Sequence, residues 1–284
     1  MDQYKKPGDQ LSSQSIDPYQ STIPLPINYS STNQLIDYIL HLADNALVLG
    51  HRNSEWCGHA PVLEQDIAIT NIALDLIGQA RNFYQYAALQ SHTTGVSEDT
   101  LAYFREAKDF KNCLLVEQPN GDWAVTILRQ FFFSTYQYYL YQQLQSSSDL
   151  QIAAIAEKAF KEVTYHLRWS SEWVIRLGDG TGESHERMLH AINILSPFTS
   201  ELFIPANYEK AAATEGFGTN ILLLKPLWQQ KVKEIFTEAT LTNTFFFKEG
   251  NTKFSGKEGR HTKHLNAILK EMQILQRTFP GVEW

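Results

Sequence analysis

Apolar residues along 62–90 (VLEQDIAITNIALDLIGQARNFYQYAALQ) fall all the way round a helical wheel: Val62, Leu63, Ile67, Ile69, Ile72, Leu74, Leu76, Ile77 and Phe83. A helix apolar on every side is normally enclosed by others, so this one is expected in the middle of a bundle. Its polar residues gather into one stripe, Glu64, Asn71 and Asp75, with Gly78 following. Asn71 and Asp75 stand at i,i+4 on that stripe. A carboxylate inside a bundle needs a metal, a cation or hydrogen bonds to offset its desolvation.

The flanking segments read as more helices. Thr32 and Asn33 form an N-cap for a helix to about residue 50, whose arc is Leu35, Ile36, Ile39, Leu40, Leu42, Ala43, Ala46 and Leu47. Asp44 lies at the edge of that arc, beside the wet side carrying Asp37 and His41, and Gly50 is expected to end the helix. The loop HRNSEWCGHAP holds Glu55, Trp56, Cys57 and His59 before Pro61 opens the central helix. SEDTLAYFREAKDF predicts a short amphipathic helix, and NCLLVEQPNGDW an extended stretch ending in the turn Pro119-Asn120-Gly121. Asp122 caps WAVTILRQFFFSTYQYYLYQQL, again apolar or aromatic all round, with Arg129 as its one cation.

A fourth long helix covers about 150–177, with Glu162 and His166 beside the arc of Ala159, Val163, Leu167 and Val174, and Gly178 and Gly180 stop it. Further helices are expected over 183–197, ended by Pro197, near 219–239, and over about 259–278 after the turn-rich FFFKEGNTKFSGKEG. The reading is an all-α protein of four long helices with shorter ones packed round them. Residues 1–31, polar and without helical period, are expected to be a disordered tail, and 32–284 a single helical domain.

Composition narrows the function classes. A net charge of -7 gives no electrostatic reason to expect nucleic acid. Two cysteines are too few for a disulfide framework, and with no signal segment a reduced cytoplasmic location is expected. No run approaches the roughly 20 apolar residues of a membrane span. No Gly-rich phosphate loop and no CxxC pair is present. Six tryptophans, thirteen tyrosines and sixteen phenylalanines put much aromatic mass inside the protein or in an interface.

Long buried helices with internal acids suggest a carboxylate-bridged di-iron bundle, which takes one carboxylate from each of two helices and a Glu-x-x-His pair from each of the other two. Neither pair is intact. The central helix offers Asp75-x-x-Gly78, and the fourth offers Glu162-x-x-Tyr165, with His166 one residue on and so rotated by about 100°. The third helix places Phe131, Phe132 and Phe133 where a carboxylate is needed, and the first keeps only Asp44. The expectation is remnant metal-site positions at Asp44, Asp75, Glu162 and His166, with no catalytic residue, cofactor or metal of the chain's own. Arg129, charged inside an aromatic helix, is expected to pair with Asp75 or Glu162 and replace the metal electrostatically. Other candidates carry less: His261 and His264 read as a solvated helix start, and His185 and His190 share no face with a carboxylate pattern. Cys57 reads as a buried thiol, and Trp169 and Trp173 as core.

The stretches SEWCGHAPVLEQDIAITNIALDLIGQAR, VEQPNGDWAVTILRQFFF, KEVTYHLRWSSEWVIRLGDGT and HLNAILKEMQILQRTFPGVEW resemble the PaaC subunits of the ring-1,2-phenylacetyl-CoA epoxidases, over nearly everything after residue 32. The resemblance implies a ferritin-like up-down helical bundle with additional short helices that has lost most metal ligands. It implies a partner, PaaA, whose di-iron centre epoxidises the ring, and a reductase supplying flavin, iron-sulfur and NADPH chemistry. This chain would then be a structural subunit in aerobic phenylacetate catabolism, associating with PaaA and other epoxidase subunits or, when isolated, with itself. Glu55, Trp56, Glu283 and Trp284 are candidate contact points. The rivals are a stand-alone di-iron or manganese oxidase using Asp44, Asp75, Glu162 and His166, and a CoA-ester binding module, for which no basic phosphate pocket is evident.

Overall fold

The computed structural model describes residues 33–241, 255–280 and 282. The N-terminal tail expected over 1–31, the 242–254 part of the turn-rich stretch, and Glu283 and Trp284 lie outside the described residues. Among those described there is no strand. The α-helices are α1 (Gln34–Ser54), α2 (Leu63–Ser91), α3 (Glu98–Tyr103), α4 (Trp123–Leu144), α5 (Leu150–Gly178), α6 (Gly182–Thr199), α7 (Asn207–Glu215), α8 (Leu224–Glu238) and α9 (Lys263–Thr278). The four long ones, α1, α2, α4 and α5, form the all-α, ferritin-like bundle. α1 packs along α2, α4 along α5, and α2 meets α5. The α2–α5 pairs run antiparallel, Gln65 reaching Trp173, Asp75 reaching His166 and Gln79 reaching Glu162. Around this frame, α6 and α8 lie on α4, α7 on α1, and α9 across α1 and α3.

Local signals place the helix starts. Asn33 Oδ1 accepts from Leu35 N at 3.1 Å and Asp122 Oδ1 from Val125 N at 3.0 Å, satisfying amides that have no partner inside their own helix. The ends are less obedient. Gly50 does not stop α1, which continues to Ser54. Its missing side chain serves packing instead: a Cβ there would lie 3.0 Å from Ile77 Cγ1 and 3.3 Å from the Ala73 carbonyl, so glycine lets α1 and α2 approach closely. α6 likewise runs past Pro197 to Thr199, and α3 is shorter than its amphipathic pattern, leaving helix at Phe104.

Of the two helices apolar all round in sequence, α4 is enclosed and α2 is not. From Ala124 to Gln137 every α4 residue is buried, Phe131, Phe132 and Phe133 completely. Trp228 of α8 packs on Phe132 and donates its Nε1–H to the Phe132 carbonyl at 2.8 Å. α2 buries Ile69, Ile72, Leu76, Ala80 and Phe83 but exposes Leu63, Ile67 and Leu74, and Glu64 and Asn71 are exposed with them. At one end of the bundle Trp123 meets Trp56, Trp169 and Trp173 edge-on, and both Trp169 and Trp173 donate to Gln65 Oε1. No helix among the described residues is long and apolar enough to cross a membrane.

Candidate functional site

Asp44 is fully buried rather than at a wet edge, because residues 105–111 and α7 cover that side of α1. Its carboxylate takes a donor from every direction. Tyr84 OH donates at 2.5 Å, the Lys111 amide at 2.7 Å, and the Arg105 guanidinium to both oxygens. Arg105 in turn caps the Leu101 and Asp109 carbonyls and lies 4.2 Å over the Phe110 ring. His41, also buried, donates from Nδ1 to the Lys111 carbonyl at 2.7 Å. Burial lowers its pKa against the pull of Glu209, with Lys257 adding to the fall.

Asp75, Glu162 and His166 meet at the α2–α5 seam. His166 is completely buried, not turned away, and its Nε2 lies 2.9 Å from Asp75 Oδ2. An ionised carboxylate only accepts, so Nε2 carries the proton. Glu162 accepts from Gln79 Nε2 at 2.9 Å, and Gln79 Oε1 accepts from Tyr141 OH at 3.3 Å. Tyr165, which follows the Glu162 pattern, points outward and is exposed. Asp75 and Glu162 therefore sit at the rim of the bundle, while the stripe that enters the core passes through His166.

Arg129 pairs with neither Asp75 nor Glu162. Its guanidinium donates to the Gln118 carbonyl and to Asn120 Oδ1, each at 2.5 Å, at the end of the bundle where the turn before α4 folds back. Burial, reinforced by nearby Arg52 and eased by Glu55, pushes its pKa down to about 9. An internal cation does balance an internal acid, but the couple is Arg105 with Asp44.

A second set of buried charges was missed by sequence reasoning. Residues 255–262 run as a strap over the segment 110–118, held by three buried glutamates. Glu117 accepts from His261 Nδ1 at 2.8 Å, the Thr262 amide at 2.6 Å and Asn112 Nδ2 at 3.0 Å. Glu201 accepts from the Leu114 and Gly256 amides at 2.6 and 2.7 Å. Glu209 holds Lys257 Nζ at 3.0 Å, and Lys257 also reaches the Leu202 and Ile204 carbonyls. His261 is thus a buried ion-pair partner rather than a solvated helix start. The contacts that fasten the strap join residues far apart in sequence, so the local signal is confined to two acids in otherwise apolar runs, LLVEQ and SELF. Cys57 is exposed, against the expectation of a buried thiol, and Cys113 is buried. His185 Nδ1 lies 2.6 Å from the Gly178 carbonyl, and His190 is exposed.

These residues do not fit a di-iron centre. Asp44 is saturated by donors, Asp75 and Glu162 are engaged at the rim, and one imidazole serves where two are required. Among the described residues no three His, Cys, Asp or Glu side chains come together as a metal-holding set.

Fold and interior together define a ferritin-like helical bundle whose internal acids are met by protein donors and cations. A family model described as phenylacetic acid catabolic protein, covering PaaA and PaaC, matches residues 25–284, and the chain belongs to that family. A curated relative, the PaaC component of the 1,2-phenylacetyl-CoA epoxidase of Escherichia coli (strain K12), is 48% identical over 252 residues, 89% of this chain and 100% of the relative.

Proposed function

We propose that the chain is the non-catalytic structural subunit of a multicomponent phenylacetyl-CoA ring epoxidase, pairing with a di-iron companion of the PaaA type. The observation that carries the reading is the interior: Asp44, the acid of α1, is closed off by Arg105, Tyr84 and the Lys111 amide. A metal would have to displace a buried ion pair, at a cost of several kcal/mol. Dioxygen and iron chemistry then belong to the companion, and the flavin, iron-sulfur and NADPH chemistry to the reductase. The name of the E. coli relative, one subunit rather than a whole enzyme, supports the same division of labour.

Co-expression with a PaaA-type companion, followed by phenylacetyl-CoA turnover with reductase in the presence and absence of this chain, tests the proposal. The expected result is activity only when both bundles are present, with iron following the companion. Stoichiometric iron in this chain alone, with turnover lost in Asp75→Ala, would instead establish the stand-alone oxidase.

A further inference from the structure

Two phenols in the core have a proton to give and no group to take it. Tyr38 of α1 and Tyr136 of α4 are 1% and 2% exposed, and neither hydroxyl finds an acceptor among the described residues. Both rings are boxed in. Tyr38 is met edge-on by Phe217, and Gly218 lies so close that a Cβ there would stand 3.0 Å from the Tyr38 Cζ. Tyr136 packs on the Phe133 and Phe203 rings, each centred 6.0 Å away. Burial, reinforced by the Glu209 carboxylate, raises the pKa of both phenols, so both stay protonated. The Thr219 amide beside Tyr38 only donates, which leaves the phenol's own proton without a place. A buried hydroxyl in that condition forfeits its hydration for nothing, a cost that phenylalanine would avoid.

The complementary deficit lies on α1 and α7. His41 Nδ1 gives its proton to the Lys111 carbonyl, and burial keeps the ring neutral, so Nε2 presents a lone pair. That lone pair stands 3.5 Å from Glu209 Oε1, which is also an acceptor. The Asn45 amide nitrogen does not separate them. It is 3.3 Å from both ring nitrogens, a position over the ring face, and its bond is to the His41 carbonyl at 2.8 Å. Glu209 Oε1 has Lys257 Nζ at 3.1 Å and capacity for a second donor. The two deficits adjoin: Tyr38 and His41 share a face of α1 at i,i+3, and the charge of Glu209 acts on both phenols.

We infer that the core holds a binding site for one ordered water molecule, which accepts from the Tyr38 and Tyr136 hydroxyls and donates to His41 Nε2 and Glu209 Oε1. Two donors and two acceptors are what a single water completes, within the two to four contacts usual for a buried one. An ion answers the same groups poorly. Lys257 already neutralises Glu209, so neither sign of charge is called for. A simple anion has no proton for His41, and a metal cation cannot accept one from a phenol. The water thereby links α1, α4 and α7 through one set of hydrogen bonds, and it accounts for tyrosine rather than phenylalanine at both positions.

The test uses the full chain with Tyr38→Phe, Tyr136→Phe and both together, each change trimming one oxygen from a packed ring. The sign of the stability change decides. With water bound, each lost hydroxyl removes a hydrogen bond and loosens the water, so each single variant melts about 2–4 °C lower than wild type. In a dry site the same change removes an orphaned polar atom, and the melting temperature is unchanged or rises; that result overturns the inference. Magnetic relaxation dispersion of the water oxygen counts long-residence waters independently of stability. The double variant is expected to hold one fewer than wild type. An unchanged count overturns the inference even if the variants are less stable, because the tyrosines then act through packing alone.

Discussion

Arg105→Met removes the guanidinium from Asp44 and leaves a carboxylate at 0% exposure with two donors, Tyr84 OH at 2.5 Å and the Lys111 amide at 2.7 Å. Breaking a buried pair from one side costs about 3–5 kcal/mol, because the remaining charge cannot recover its hydration. The two surviving donors argue for the lower half of that range. The lost caps on the Leu101 and Asp109 carbonyls and the lost contact with Phe110 argue for the upper half. An expected loss of about 4 kcal/mol lowers the melting temperature by about 8–16 °C in a protein of this size. Asp44→Asn and the double variant complete a cycle. The double variant should be less damaged than the sum of the singles by about 2 kcal/mol, since neither charge is then left alone. Thermal and urea denaturation of all four proteins at pH 7 measure this. A fall of under about 2 °C for Arg105→Met, or strict additivity, would refute the assignment of Arg105 as the balancing cation.

Two predictions concern the strap. Burial disfavours the charged form of His261, but the Glu117 carboxylate and the Phe110 carbonyl outweigh it and raise its pKa above the ordinary value. A raised histidine contributes its full stabilisation below about pH 6.5 and loses it as pH climbs through the folded-state pKa. The gap in urea midpoint between wild type and His261→Asn should therefore narrow from pH 6 to pH 9, and a gap constant across that range contradicts the ion pair. Lys257→Met removes the lysine from Glu209, leaving it the Ala206 amide at 2.8 Å and His41 at 3.5 Å, and is expected to cost about 3 kcal/mol, the lower end for a broken buried pair. The residues 255–280 should then become the first site of tryptic cleavage, which mass spectrometry of the fragments detects.

Legibility follows sequence distance. Asn33 and Asp122 are readable as caps because a cap acts within three residues of itself. The four long helices are readable because their periods repeat over many turns. Periodicity tells which faces of α2 and α4 require cover but not what supplies it, so it points to the wrong helix as the enclosed one. Arg129 looks like the balancing cation because it lies in a helix with apolar neighbours. Arg105 lies in a stretch whose amphipathic pattern does not mark it as internal, and its partner is 61 positions away. Gly50 and Gly78 are indistinguishable as letters, and only the neighbouring helix separates a packing glycine from an open one. Ideal spacing from Glu162 turns His166 away from the site. The helix is rotated so that His166 rather than Tyr165 enters the core, which no count along the chain reveals.

The strap has a consequence for how the protein is made. Glu117 waits 144 positions for His261, Glu201 waits 55 for Gly256, and Glu209 waits 48 for Lys257. While the nascent chain is still threaded through the ribosome, three acids destined for the interior hold only part of their donors and lack those of the strap, so their surroundings cannot fully dry out and close. Maturation is therefore a late event, set by arrival of the last thirty or so residues. A prematurely terminated product stays open and is left as a ready substrate for quality-control proteases.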